Sequence, residues 1–463
     1  MELKNFDRIY FVGIGGIGMS ALASWFAKAG YQVAGYDRSA SEITQKLQDE
    51  GIEVFFDESV HAIPDKFIVE PNHVLVVYTP AIPKNHAGWN YFVTHGYRVM
   101  KRAEALGILV SGKSGIAVSG THGKTSVSTT TAWLLKDRCS AFLGGISKNL
   151  QSNVIIQPET KTVVIEADEY DRSFLTLFPE TAVVTAMDAD HLDIYANKEE
   201  IVETFYQFIG QIKKGGKLIY KKGLTIPSSV NLDITYYTYS LTDTTAQFYA
   251  QNIRVIDGQY LFDWVTPKGI FPGFIMGIPG LYNLENALAA LAAAWLNGMN
   301  PKQLKNSLAL YKGVKRRFDF QIKQSKLIYL DDYAHHPEEI RACVESVRHL
   351  FPNRHLTVVF QPHLYSRTRD FADEFAKSLD LCDAVILSEI YPAREEPIPG
   401  VTSQMLLDKM ALKNKKICSY ENILENLLTS DLDVLITMGA GNIDRLVEPI
   451  TEALTLKYKE VFE

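Results

Sequence analysis

Cysteine is scarce. The four in this chain, Cys139, Cys343, Cys382 and Cys418, form no CxxC pair and fall at no zinc-site spacing. That excludes a disulfide framework and a thiolate zinc centre, and it predicts a reducing, cytoplasmic compartment. Long apolar runs are also missing. The Ala-rich segment 286–296 comes nearest, and it falls short of the ~18 residues that would span a membrane, so no membrane insertion is expected. The strand-like run 9–12 follows a polar start, which is not the pattern of a secretory leader. There is no basic excess: 47 Lys and Arg against 54 Asp and Glu leave a net charge of −7. Such a balance offers no broad positive surface, and nucleic acid is not an expected partner. Low-complexity tracts and short internal repeats are absent too.

What remains is an ordinary globular mixture with ample apolar material, and the 463 residues suggest about three domains. The first segment alternates strand and helix. An apolar run at 9–12 leads into Gly13-Ile14-Gly15-Gly16-Ile17-Gly18, a helical pattern over 19–29 that Gly30 stops, a strand at 31–36 ending at Asp37, and a strand at 74–77 followed by Tyr78-Thr79-Pro80-Ala81. Such alternation predicts a parallel sheet. The small, polar stretch 111–115 reads as a boundary. A second alternating pattern follows, with strands at 116–119, 162–165 and 182–185. Residues 217–274 are rich in strand formers and turns and predict an antiparallel extension of that sheet. The pattern restarts near Arg316, with buried strands expected at 327–330, 357–360, 384–387 and 434–437. The fold class is therefore α/β in three domains: 1–111, Rossmann-like; 112–315, a phosphate-loop ATPase unit with a mainly parallel sheet; and 316–463, Rossmann-like again.

The segment Ser119-Gly120-Thr121-His122-Gly123-Lys124-Thr125 joins an apolar strand to a helix. A glycine loop there turns backbone N–H groups toward phosphate, and the helix N-terminus adds partial positive charge. Lys124 would reach the β- and γ-phosphates of ATP, and the Thr125 hydroxyl would ligate Mg2+. The loop is shortened, since Val118 stands where the usual pattern has a glycine. Two more strands end in polar groups, at Glu166-Ala167-Asp168-Glu169 and at Asp188-Ala189-Asp190-His191. If they run parallel to the loop strand, their ends share one sheet edge, where open α/β sheets bind ligands. Glu166 and His191 would then join Thr125 around Mg2+, with the imidazole a less typical ligand for so hard a cation.

The N-terminal Gly13-x-Gly15-x-x-Gly18, with Asp37 after the second strand, matches a dinucleotide-binding turn and predicts a diphosphate on the helix N-terminus. Asn283 and Asn286 are three apart on one helix face; amides there can read an adenine edge, and capping by Asn283 is the plainer account. Arg316-Arg317 offers guanidinium groups for phosphate charge, or is simply a surface pair. In Asp331-Asp332-Tyr333-Ala334-His335-His336-Pro337 the two adjacent imidazoles should point apart in extended chain. Arg367, after Gln361-Pro362-His363, can clamp a carboxylate. Tyr391-Pro392-Ala393-Arg394-Glu395-Glu396-Pro397 and Gly439-Ala440-Gly441-Asn442 end two more strands.

Together and in this order, these motifs resemble the Mur ligases of peptidoglycan synthesis, over about residues 9–442. The resemblance implies an ATP-dependent ligase that activates a carboxylate as an acyl phosphate and joins it to an amine. It implies that Gly15, Gly16, Ile17, Gly18, Met19, Ser20, Asp37, Thr79 and Ala81 hold a UDP-sugar, and that Gly120, Thr121, His122, Gly123, Lys124 and Thr125 hold ATP with Asn283, Asn286, Arg317 and Asp332. His336 and Arg367 would stand near the incoming amino acid. Lys124, Glu166, His191, Arg317 and His336 would carry the catalysis, and Thr125, Glu166 and His191 would be the metal ligands. The Gly-Gly-Ile-Gly-Met-Ser opening and the Tyr391-to-Gly400 segment favour the branch that acts on UDP-N-acetylmuramate and L-alanine over a branch that attaches a ready-made tripeptide.

The chain departs from the family pattern in four places, one of them a short segment between the phosphate-loop helix and Gly144-Gly145. Tyr282 replaces a histidine that often precedes the first asparagine, Leu364 replaces an arginine that many members carry, and no lysine stands near Tyr206 where several relatives bridge metals with a carbamylated one. Two rivals come from single motifs: an NAD-dependent oxidoreductase from the N-terminal glycines, and a non-catalytic nucleotide switch from the phosphate loop. The first leaves the phosphate loop and the His-His segment unexplained, and the second would hydrolyse or hold ATP without needing a sugar and an amino acid.

Overall fold

The computed structural model describes residues 5–79, 82–83, 85–157, 159–188, 195, 197–256, 258–393 and 395–459. The chain forms two compact units. One comprises residues 1–253, 261–275 and 286–312, and the other residues 254–260, 276–285 and 313–463.

The first unit contains a five-stranded sheet in the order Glu53–Phe55, Gln32–Tyr36, Arg8–Val12, Val74–Tyr78, Arg98–Lys101. Every pairing in it is parallel. The central strand Arg8–Val12 is buried along its whole length, as the near-continuous apolar run of a strand covered on both faces requires. The order reverses direction beside Arg8–Val12, and at that strand's carboxyl end the chain turns through the glycines into the helix Ile17–Lys28. This is the switch point where doubly wound sheets bind ligands.

The ten-stranded sheet is built around Ser114–Ser119, flanked by Thr181–Val184 and Thr162–Glu166, both parallel to it. Beyond Thr162–Glu166 lie Cys139–Ser147, again parallel, and its antiparallel hairpin partner Ser152–Ile155. On the other side Lys217–Lys221, Thr235–Ser240 and Phe248–Ile256 follow. The antiparallel extension expected there forms only at its far end: these three strands add in parallel, whereas Gln259–Thr266 and Gly269–Met276 complete that edge through two-residue connections, which only antiparallel neighbours allow. The connection across 222–234 is long enough to cross back over the sheet, where an antiparallel pair would need only a tight turn.

The helix Lys124–Leu134 is rich in serine and threonine, residues with little intrinsic helix preference. It forms because it is buried: Ser128, Thr129, Thr130 and Thr131 are almost wholly inaccessible. Thr130 Oγ1 donates to Ser126 O at 2.7 Å and Thr131 Oγ1 to Val127 O at 2.8 Å, so these hydroxyls bond back onto the preceding turn. The N-terminal and central sheets share one apolar core within the first unit, running from Phe26 and Leu106 to Phe142, Phe174 and Phe208. Polar ties cross it: Asn153 Nδ2 donates to Ile17 O, and Thr176 Oγ1 donates to Ala103 O at 3.1 Å.

The second unit holds a six-stranded sheet in the order Asp319–Lys323, Ile328–Asp332, Val434–Met438, Leu356–Phe360, Ala384–Leu387, Lys415–Ile417. It is parallel except for the edge strand Asp319–Lys323. All four cysteines are buried and free. Among the described residues no helix is long and apolar enough to cross a membrane.

Candidate active site

The strand, glycine loop and helix expected around residues 119–125 are formed. Ser119 ends its strand, and the helix from Lys124 is capped by Gly123 at φ +82°, a left-handed backbone that a side chain would strain. A Cβ on Gly123 would also lie 2.9 Å from Asn286 Oδ1, so the amide of Asn286 sits against the loop. Thr121 N donates to Ala186 O at 3.2 Å, and Asp188 N donates to Thr121 Oγ1 at 3.1 Å. Thr185 Oγ1 donates to the His122 carbonyl, and His122 Nε2 stands 3.9 Å from Asp188 Oδ2. The loop is therefore braced from the end of the neighbouring strand, Thr181–Val184.

The expected carboxylate lies where the parallel register puts it. Thr125 Oγ1 donates to Glu166 Oε1 at 2.9 Å, Ser128 Oγ to Oε2 at 3.2 Å, and the Gly144 backbone N–H to Oε2 at 2.8 Å. A Cβ on Gly144 would overlap the Glu166 carboxylate, so the absence of a side chain there is what lets the carboxylate come so close. Burial pushes the Glu166 carboxyl above its usual range, while the Lys124 charge, the Thr125 hydroxyl and the Gly144 N–H draw it back. A desolvated carboxylate beside two hydroxyl oxygens is a donor set that suits a hard divalent cation. Lys124 Nζ donates to Gly120 O at 2.8 Å and to Glu169 Oε1 at 2.7 Å. Burial alone would lower the Lys124 pKa; the carboxylates of Glu169, Asp168 and Glu166 outweigh it and keep the ammonium charged. His191 lies outside the described residues.

At the N-terminal glycines, Gly13 N and Ile14 N both donate to Tyr36 O, at 2.7 and 2.8 Å, which shapes the turn. Gly15 N donates to Asp37 Oδ2 at 2.7 Å, so the carboxylate after the second strand holds an N–H that would otherwise face an anion. Gly16 caps the helix, Ile17 and Gly18 open it, and the Arg102 guanidinium packs beside Gly18. Met19 and Ser20 are buried, with Ser20 Oγ donating to Ile17 O at 3.0 Å; their side chains support the turn from behind. Thr79 packs against Gly13. Ala81 lies outside the described residues.

In the second unit, neighbours in sequence separate. Arg316, at φ +62°, turns inward: its Nε donates to Asp331 Oδ2 at 3.0 Å and its Nη2 to Gly439 O at 2.7 Å. Both guanidinium groups lie over the Tyr333 ring, Arg316 at 5.3 Å and Arg317 at 4.8 Å, and Arg317 has Glu339 3.6 Å away. Of the arginine pair, then, one is hydrogen-bonded to a buried aspartate and a backbone carbonyl and the other faces Glu339, with the two side chains about equally exposed, at 21% and 24%. Asp332 accepts from Phe318 N at 2.7 Å, Ala334 N at 2.8 Å and Tyr282 Oη at 2.9 Å. Its carboxylate organises the loop that carries Arg317, and the tyrosine in the unusual place serves that end. Asn283 is buried inside the helix Leu281–Leu296, past its cap position, and its amide donates to Pro279 O at 2.7 Å.

The histidines also diverge. His336 is buried, caps the helix Pro337–Leu350 through Nδ1 and packs edge-on to Phe371. His335 instead meets Glu339 Oε2 at 3.2 Å and lies 6.1 Å from His363, which stacks on Tyr391. The imidazole that joins a polar cluster is thus His335, with Glu339 linking it to Arg317. Arg367 is 8% exposed in the short helix Tyr365–Asp370. That helix begins after Leu364 at φ +68° and is held by Glu395, which accepts from Ser366 N at 2.9 Å. The sequence motifs assign no individual role to Glu169, Gly144, Ser128, Glu339 or Glu395. Ser128 was the most readable of them, one helical turn after Thr125 and on the same face.

A glycine loop with a paired lysine, a threonine and carboxylate at the same sheet edge, and a separate Rossmann-like unit define a nucleotide-using phosphoryl-transfer enzyme. Three family models match successive parts of the chain: Mur ligase family, catalytic domain, over residues 8–114; Mur ligase middle domain over 118–294; and Mur ligase, glutamate ligase domain, over 316–441. The chain is 47% identical over 457 residues to a UDP-N-acetylmuramate–L-alanine ligase of Parabacteroides distasonis, covering 98% of each. It is 46% identical over 461 residues to the enzyme of that name from Phocaeicola vulgatus, covering 99% of this chain and 100% of the relative. The crystal structure of UDP-N-acetylmuramate–alanine ligase from Thermotoga maritima shares the fold, with a TM-score of 0.81 at 24% identity over 97% of this chain and 99% of that one. The chain belongs to the Mur ligase family of ATP-dependent ligases.

Proposed function

We propose that this protein joins L-alanine to the carboxylate of UDP-N-acetylmuramate, converting ATP to ADP and phosphate, in the cytoplasmic synthesis of peptidoglycan precursors. Near-complete coverage at 47% identity to a UDP-N-acetylmuramate–L-alanine ligase carries this reading. Residues 1–111 would hold the UDP-sugar, 112–315 ATP and 316–463 the amino acid. The diphosphate, not NAD, is the anion for the N-terminal glycines, with Arg102 beside them as an available countercharge.

A carboxylate resists attack by an amine because it is a poor electrophile with no adequate leaving group. Its oxygen therefore first attacks the γ-phosphorus of ATP; the bond from phosphorus to the ADP oxygen breaks, and an acyl phosphate forms. The alanine amine then attacks the acyl carbon, phosphate leaves, and the amine nitrogen gives up its proton as the amide forms. Negative charge spreads over phosphoryl oxygens in the first step. Lys124 meets that charge at the β- and γ-phosphates, and Arg317 is suited to do so from its loop. Thr125, Glu166 and His191 would hold Mg2+, which supplies further charge neutralisation at the phosphates. Asn286, against the loop, and Asn283 are the amides for the adenine; Asp332 would meet the ribose only by exchanging one of its internal bonds. His336, with Arg367, would line the amino-acid end. In this structure the more open imidazole is His335.

The test is phosphate release with UDP-N-acetylmuramate and, in turn, L-alanine, glycine, L-serine and the tripeptide. Turnover with the tripeptide but not with L-alanine would assign the chain to the recycling branch instead. ATP turnover independent of any sugar would overturn the ligase reading.

A further inference from the structure

We infer that Glu169 is the residue that positions Lys124 for phosphoryl transfer, and that their contact persists when nucleotide binds. The inference rests on the phosphate-loop reading above. Lysine is a point charge on four flexible carbons, so its usefulness depends on something holding it. Here the ammonium is held at two points, Gly120 O at 2.8 Å and Glu169 Oε1 at 2.7 Å. An ammonium has three N–H donors, and the third remains for a phosphate oxygen.

Glu169 is built to stay in place. Its side chain is 1% exposed. Its backbone carbonyl accepts from Tyr195 Oη at 2.6 Å and from Arg172 N at 2.9 Å. Tyr195 is itself buried, with the Arg172 guanidinium 5.5 Å from its ring. Separating the ammonium from a carboxylate this deeply buried would forfeit a 2.7 Å charge-assisted contact in a setting where such contacts are strong. The arrangement therefore favours a lysine that keeps its anchor and extends its remaining donor. Glu169 does not touch the nucleotide in this scheme; it acts through Lys124.

The test is a double-mutant cycle in kcat and in KM for ATP, with UDP-N-acetylmuramate and L-alanine saturating and thermal melts run in parallel. Glu169→Ala should lower kcat on the order of 30–100-fold while KM for ATP stays within about 3-fold, the pattern of a misplaced catalytic charge. Glu169→Gln, which keeps an acceptor at the same point, should recover about 10-fold or more of that loss. In a Lys124→Ala background, Glu169→Ala should cost less than about 3-fold more, because the group it positions is gone. If Glu169→Ala does not fold, Glu169→Asp, which retracts the carboxylate by one methylene, runs through the same cycle with the same expected loss of coupling. Fully additive losses would overturn the inference. So would a lower KM for ATP in Glu169→Gln at unchanged kcat, since the pair would then be breaking as nucleotide binds. A Lys124→Ala variant with normal turnover would instead overturn the phosphate-loop reading itself.

Discussion

Adding one methyl group at Gly144 should separate the Glu166 site from the fold around it. A Cβ at that position overlaps the Glu166 carboxylate and meets no backbone atom among its nearest neighbours. What has to move is the far end of a flexible side chain, so Gly144→Ala should fold, with a melting temperature within a few degrees of wild type. The carboxylate cannot stay where it is. Displacing it removes the 2.8 Å bond from Gly144 N and pulls against the 2.9 Å bond from Thr125 Oγ1. A hydrogen bond to a charged group contributes about 1.5–3 kcal/mol, which is roughly a 10- to 150-fold change in the affinity or rate that depends on it. The assay is ADP formation as a function of Mg2+ concentration. Gly144→Ala should shift half-saturation upward by about 10-fold or more, and Glu166→Gln, which keeps the shape and removes the charge, should do at least as much. Wild-type Mg2+ dependence and turnover in a folded Gly144→Ala protein would show that the contact does not hold Glu166 in its working position.

Three further outcomes are expected. Lys124→Ala should lower turnover by more than ~100-fold, the scale of losing a principal electrostatic donor, measured as phosphate release from a protein that melts normally. UDP-N-acetylmuramate should protect the protein thermally while NADH should show no saturable binding by fluorescence; NADH binding that the UDP-sugar does not displace would reassign the N-terminal glycines. The third concerns stability. Burial, opposed by Arg316 and Thr437, raises Asp331 from 3.8 to about 6. A raised carboxyl binds its proton more tightly in the folded state, so its contribution is complete below about pH 4 and is lost as pH rises through about 6. That amounts to about 3 kcal/mol. Asp331→Asn mimics the protonated form, so in urea unfolding its stability relative to wild type should improve by about that amount between pH 4 and pH 7. A difference independent of pH would refute the assignment.

The chain's own residues determined a good deal here. Apolar runs ending in glycines and followed by helical periodicity specify strand, loop and helix, and parallel strands must bring their carboxyl ends to one edge. That is why Thr125 and Glu166 could be paired across the intervening residues from sequence, and why the expectation and the 2.9 Å contact agree. A periodic signal carries less about which way an added strand runs. The pattern over 217–274 predicts antiparallel strands, yet the first of them pair in parallel and only the hairpin strands beyond Ile256 can run antiparallel, because direction depends on how a long connection packs over the sheet. It carries least about adjacent polar residues. Arg316 and Arg317, or His335 and His336, are equivalent in composition and differ only in the side of the backbone they leave. Asp331 and Gly439 bind one arginine inward, Glu339 receives the other, and a helix N-terminus takes His336 as its cap. Those partners come from distant strands and loops, so their choice exists only once the chain has folded. The Lys124–Glu169 pair belongs with them: both residues stand in recognisable motifs, but the 2.7 Å contact follows from the close packing of two strand ends against a buried tyrosine.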